Sequence, residues 1–151
     1  MSHLRIGIDF DNTIISYDDI FHKVALEEKL IPPDLPTTKA DIRDYLRERE
    51  KEDEWTTMQG YVYGVRLKDA NPFPGVADFL LDCKRKNISV FIVSHKTRHP
   101  YIGHKYNLHS AAYEWLKSQS FLDAEKFGLT DNNIYFELTK SEKIKRISKL
   151  K

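Results

Sequence analysis

Residues 4–14 read Leu4-Arg5-Ile6-Gly7-Ile8-Asp9-Phe10-Asp11-Asn12-Thr13-Ile14. The run from Leu4 to Phe10 is short and apolar, and a polar turn follows it. That character fits a strand buried on both faces of a parallel sheet. Asp9 and Asp11, two residues apart, point to the same side of such a strand. Two carboxylates roughly 6 Å apart repel by about 3 kcal/mol at an effective dielectric near 20. The pair invites a counter-ion, and oxygen ligands at a strand end suit Mg²⁺. A carboxylate can also attack phosphorus and form an acyl-phosphate. A turn after a strand carries Asp and Asn for conformational reasons too, so the pair gains meaning from what surrounds it.

Beyond the turn, Ile20 to Ile31 has helical spacing, which Pro32, Pro33 and Pro36 end. Thr37 or Thr38 can cap a second helix over Lys39 to Lys51. Asp53 to Val65 reads as a third helix, carrying Trp55, Met58 and Val62. This charged, helical block, residues 20–69, reads as a cap inserted into a main domain formed by 1–19 and 70–151. Asn71-Pro72-Phe73-Pro74-Gly75 marks the return. A helix over Gly75 to Lys86, a strand over Ile88 to Val93, a helix over His109 to Gln119, a strand over Asn133 to Leu138 and a last helix over Lys140 to Leu150 complete the pattern. Strands alternating with helices predict an α/β fold with a Rossmann-like parallel sheet and right-handed crossovers. Ligands of such sheets bind off the carboxyl ends of the strands. Asp9, Asp11 and Ser94 fall at such ends, and Lys140 falls just past the third strand.

A carboxylate attacking an anionic phosphoryl group needs cations and oriented donors around it. Ser94 offers a hydroxyl, and Lys140, or Lys143 one turn on, offers a cation. Backbone N–H groups after Asp9 and Ser94, with Asn12, Thr13 and His95 beside them, can form an anion-binding nest. Each residue alone has a plainer reading: Ser94 as a cap, Lys140 as a solvated helix residue. Their order along one sheet is what favours the chemical reading.

With those residues assembled, the chain resembles the haloacid dehalogenase superfamily. Asp9-Phe10-Asp11-Asn12-Thr13-Ile14 is similar to that family's Asp-x-Asp-x-Thr motif. Val90-Phe91-Ile92-Val93-Ser94 resembles its second motif, and Lys140 best matches its third. Phe73-Pro74-Gly75-Val76 looks like the usual re-entry after a cap. The resemblance implies a Mg²⁺-dependent phosphatase acting on a small phosphorylated metabolite. Asp9 would be the nucleophile and Asp11 the acid and base. Ser94 and Lys140 would hold phosphoryl oxygens, and Mg²⁺ would be held by Asp9 and the Asp11 carbonyl. The second Asp of the motif favours phosphatase over dehalogenase chemistry.

The family's fourth motif, an acidic metal ligand on a fourth strand, has no match before Lys151. Asp18-Asp19 comes too early, and Asp131-Asn132 reads as a turn before a strand. Without a fourth strand, Leu4 to Phe10 becomes a sheet edge, a pairing hazard. A second copy in a homo-oligomer, a rearranged segment, or a missing C-terminal segment of a longer polypeptide could cover it; the last is the expectation. The competing function is a non-catalytic binding or partner module that keeps the fold without the full metal site. A glycosyltransferase, whose Asp-x-Asp lies deeper in the chain, fits less well.

Other features bound the reading. The chain has 151 residues, a net charge of +1 and one cysteine, Cys83. These argue for one domain, no intramolecular disulfide and no nucleic-acid footprint. No apolar run or leader suggests a membrane or export, so the expected setting is cytoplasmic. The basic segment from Ser94 to Lys105 borders the site, and Lys96, Arg98 or Lys105 could recognise an anionic substrate. Zinc binding by His95, His99, His104 and His109 lacks a familiar spacing. Trp55, Tyr61 and Tyr63 either face the cleft or fill the core.

Overall fold

A computed structural model describes residues 3–150. Three parallel strands, β1 (Arg5–Ile8), β4 (Ser89–His95) and β5 (Ile134–Glu137), form a sheet in the order β1-β4-β5. Ile8 pairs with Ile92, and Ser94 with Phe136. The middle strand is the buried one, with Val90, Ile92, Val93 and Ser94 all inside. β1 corrects one expectation: Arg5 and Gly7 are exposed, and Ile6 and Ile8 only half-buried. It lies at the edge of the sheet with one hydrogen-bonded neighbour, β4, and the face that carries Arg5 and Gly7 is left exposed.

A two-stranded antiparallel neck joins the two parts of the chain. β2 (Ile15–Ser16) pairs with β3 (Asn71–Pro72), and the Phe73 N–H donates to the Ile14 carbonyl at 2.9 Å. The chain leaves the sheet through β2, forms α1 (Asp18–Glu27), α2 (Lys39–Glu48) and α3 (Glu52–Tyr61), and returns through β3. α1 stops four residues short of Ile31. Lys29 turns left-handed there (φ 58°), and the Leu30 N–H closes back on the Ala25 carbonyl. α3 runs on into a π-helical turn, Val62–Arg66, then a 3₁₀ turn, Leu67–Asp69. Gly75 starts α4 (Val76–Arg85) with φ 89°, a conformation that glycine adopts without a Cβ penalty.

The helical block and the sheet share one continuous core. Phe21, Trp55 and Met58 of the block belong to the same cluster as Phe10, Ile92 and Trp115. The Trp115 indole N–H donates to the Ala70 carbonyl at 3.0 Å, tying α5 (Leu108–Ser118) to the end of the block. A short helix, α6 (Ala124–Phe127), which the sequence does not suggest, leads toward β5. α7 (Lys140–Lys149) begins with a capping box. The Thr139 hydroxyl accepts from the Glu142 N–H at 3.1 Å, and Glu142 accepts from the Thr139 N–H at 3.2 Å.

Candidate functional site

After Phe10 the backbone turns sharply. The N–H groups of Thr13, Ile14 and Ile15 all point at the Phe10 carbonyl, and Asn12 takes φ 53°. Asn is among the few residues with a side chain that tolerate that conformation. Phe10 is fully buried, which anchors the turn, while Asp9 and Asp11 project beyond the sheet.

Each carboxylate meets a lysine delivered from past another strand end. Lys96, immediately after β4, places Nζ 3.0 Å from Asp11 Oδ1. Lys143, one turn into α7, places Nζ 3.3 Å from Asp9 Oδ2. Lys140 is exposed at the tip of the same helix, so Lys143 is the lysine that reaches the carboxylates. The two lysines are three residues apart and share a side of the helix, so what separates them is position along it: Lys143 lies almost one turn further from the cap. Ser94 is buried, and its hydroxyl donates to Asp11 Oδ2 over a long 3.5 Å.

Lys96 is 5 % exposed, an unusual place for a lysine. Its ammonium lies over the rings of Phe10 and Tyr63, 5.5 Å and 5.0 Å from their centroids. The Lys96 carbonyl lies 2.7 Å from His109 Nε2, which fixes the backbone just beyond β4.

Two further residues complete the cluster, and the sequence reading did not single them out. Tyr17 is fully buried, and its hydroxyl donates to Asp11 Oδ1. Burial, reinforced by the negative charge of Asp11, pushes the Tyr17 phenol well above its ordinary range, so it is a neutral donor. Lys39, the first residue of α2, donates to the Tyr63 hydroxyl at 2.6 Å. Its ammonium also lies between 5.2 and 5.5 Å from the centroids of Tyr17, Phe21 and Tyr63. Burial lowers the Lys39 pKa, while Asp11 acts to raise it. One signal for Lys39 was available: a cation in the first helical turn opposes the helix dipole. Tyr17 left no such mark, since a tyrosine beside a helix start is ordinary. Of the three aromatic candidates, Tyr63 joins the site from the π-helical turn, whereas Trp55 is core and Tyr61 packs against it. Burial raises the Tyr63 pKa as well.

Asn12 and Thr13 are exposed on the turn; the Thr13 hydroxyl donates to the Asp11 carbonyl over 3.5 Å. His95, Arg98 and Lys105 are exposed, and none is ion-paired to Asp9 or Asp11 among the described residues. The four histidines considered for zinc do not converge. His99 Nδ1 lies 3.0 Å from the Tyr106 carbonyl, His104 stacks on Tyr106, and His109 faces the Lys96 carbonyl. Among the described residues no group of three or more His, Cys, Asp or Glu converges on a metal position.

The donors fit a Mg²⁺ ion at the minimum level. That ion keeps several waters and is commonly held by one or two carboxylates plus substrate phosphate oxygens. The Asp9 carboxylate and the Asp11 carbonyl are the donors of that kind: Asp9 Oδ1 accepts the Phe10 N–H at 2.8 Å and Oδ2 pairs with Lys143, while the Asp11 carbonyl is engaged only by the long Thr13 contact among the described residues. The Asp11 carboxylate is already occupied by Tyr17, Lys96 and Ser94.

Comparison with protein-family models finds no match for this chain, and comparison with curated proteins finds none either. The chain is an α/β protein whose three-stranded parallel sheet is compatible with a Rossmann-like fold. Among the described residues no helix is long and apolar enough to cross a membrane.

Proposed function

We propose that the protein is a haloacid dehalogenase-like phosphatase, acting on a small phosphorylated metabolite through an aspartyl-phosphate on Asp9. One observation carries this reading: Asp9 and Asp11, at the end of β1, are each met by a lysine from beyond another strand of the same sheet. Carboxylate nucleophile and phosphate-binding cations thereby converge at the edge where such sheets bind ligands.

An Asp9 oxygen forms the bond to phosphorus as the ester P–O bond breaks, and the departing oxygen takes the proton that Asp11 must carry on Oδ2 when the substrate is bound. Water then attacks the aspartyl-phosphate, gives its proton to Asp11, and releases phosphate and free Asp9. The two oxygens of Asp11 divide the work. Tyr17 and Lys96 hold Oδ1, and Oδ2, with a single long contact to Ser94, is the atom that exchanges the proton. Lys143 passes from Asp9 to a phosphoryl oxygen, and Ser94 supplies a second donor. Mg²⁺, held by Asp9 and the Asp11 carbonyl, would offset charge on the phosphoryl oxygens. A reducing, cytoplasmic setting suits a chain whose one cysteine, Cys83, is buried.

The second reading is a binding module that keeps the fold and lacks turnover. It is favoured by the donor count, two carboxylates each engaged by a lysine and no third acidic ligand among the described residues. One assay separates the two: hydrolysis of p-nitrophenyl phosphate by the full chain, with and without Mg²⁺. Mg²⁺-dependent turnover, reduced to background by Asp9→Asn, is expected, with one phosphoryl mass trapped on the peptide containing Asp9. Turnover that survives Asp9→Asn rejects the mechanism, and its absence in the unaltered protein favours the module.

A further inference from the structure

We infer that the site takes a phosphate ester carrying a second anionic group, which Lys39 and Arg43 of α2 hold in the cavity beside Asn12. The inference rests on the phosphoryl-transfer reading for the first anion and on separate residues for the second.

A cavity of about 410 Å³ opens between the turn after β1 and the start of α2, lined by Asn12, Asp18, Thr38, Lys39, Arg43 and Phe73 among others. Its size falls toward the small end of ligand pockets, which span roughly 300–1,000 Å³. Asn12, the residue after Asp11, is the member of the turn that lines the cavity. A small molecule with its phosphoryl group at Asp9 can extend into it.

Of the two cations that line the cavity, Lys39 has no ion-pair partner among the described residues, and Arg43 is paired only from outside the lining. Lys39 and Arg43 are four residues apart and share one side of α2. No carboxylate lies within ion-pair distance of the Lys39 ammonium among the described residues; its neighbours are the Tyr63 hydroxyl and three aromatic rings. Arg43 donates through Nε to Asp44, outside the cavity lining. Asp18 is the one acid among the lining residues, and its Oδ1 already accepts the Lys39 backbone N–H at 2.9 Å. The lining thus holds two cations and one partly occupied carboxylate, with Asp44 answering Arg43 from outside it. Lys39 is also desolvated enough for burial to lower its pKa, and it opposes the dipole of its own helix. A ligand anion in the cavity supplies the ion-pair partner that Lys39 lacks among the described residues and a further acceptor for Arg43. The shared chemistry is an anionic group, met equally by a carboxylate or a second phosphate.

The test is equilibrium binding by calorimetry to the full chain, with three probes of matched length. Propylphosphonate carries one anionic group, 3-phosphonopropionate adds a carboxylate, and propane-1,3-diphosphonate adds a second phosphonate. At least one two-anion probe is expected to bind about tenfold or more tightly than propylphosphonate. Comparison of the two tells carboxylate from phosphate. Arg43→Ala and Lys39→Gln should each shrink that preference by about fivefold. Equal affinity for the three probes, a preference intact in both variants, or no binding of any probe overturns the inference. A preference without hydrolysis of any ester would leave this second subsite standing and remove the phosphatase reading. Hydrolysis without the preference would do the reverse.

Discussion

At the carboxyl ends of β1, β4 and β5, polar side chains are buried. Tyr17 is fully enclosed, and Ser94 and Lys96 nearly so. Along β1 and α7 the reverse holds. Leu4, Ile144 and Ile147 are 59 %, 56 % and 47 % exposed, and a recess of about 180 Å³ lined by Gly7, Phe91, Val93, Ile147 and Leu150 lies between the strands and the helix. Both regions belong to the same sheet, yet they differ in how much they say about function. Burying a hydroxyl or an ammonium costs free energy unless a partner is supplied, so a cluster of such groups with matched partners demands an explanation. Exposed aliphatic residues cost little singly and are ordinary on a protein surface. The contrast points to the strand ends as the functional region.

The contrast can be broken in three places. The largest expected effect is from Lys96→Ala, which leaves the Asp11 carboxylate without its cation. Asp11 keeps partial solvent access, so the expected loss is about 1–3 kcal/mol in chemical denaturation, together with loss of phosphate-ester hydrolysis. An unchanged denaturation midpoint would mean that this buried polar cluster does not hold the strand ends together.

Tyr17→Phe comes next, at about 1.5 kcal/mol near neutral pH, the low end for one lost hydrogen bond to a charged acceptor. Its pH dependence sharpens the point. The folded-state pKa of Tyr17 is raised above that of the unfolded chain, near 10. Its contribution is therefore complete below about pH 10 and is lost as the pH rises further, because the unfolded chain releases the proton first. Denaturation midpoints measured from pH 8 to 11 should fall less steeply above pH 10 in Tyr17→Phe than in the unaltered protein. Equal slopes would show that Tyr17 is not held as a buried donor.

The smallest effect belongs to the exposed aliphatic side. Ile144→Ser should change the stability of the chain by no more than about 0.5 kcal/mol. A larger loss would show that this surface is covered in solution, and the edge position of β1 would then matter to assembly.

Much of the site was legible before any coordinates. The Asp9–Asp11 spacing, Ser94 near the end of β4 and a lysine at the start of the last helix are local features, and local features follow from periodicity and capping. The choice between Lys140 and Lys143 was not legible, because the two share a side of α7 and only the packing of the helix against the strand ends decides which one reaches Asp9. Lys96 was visible as one of several basic residues after β4, but its burial was not. The neck formed by β2 and β3 was missed because two-residue strands leave no periodicity to read. The expectation that β1 is buried on both faces failed for a related reason: apolar sequence reports capacity for burial, while neighbours decide it.

The sequence by itself determined the alternation of strands and helices, the carboxylate pair at the end of the first strand and the capped start of the last helix. These depend on residues within a few positions of one another. The tertiary structure alone decided that Lys96 and Lys143 reach those carboxylates, and that Tyr63 of the helical block, bonded to Lys39, lies against Lys96. Such meetings join residues many tens of positions apart, and they arise when the neck and the shared core fold the block against the strand ends. No local pattern encodes that closure, because its driving force is the burial of apolar surface common to both parts.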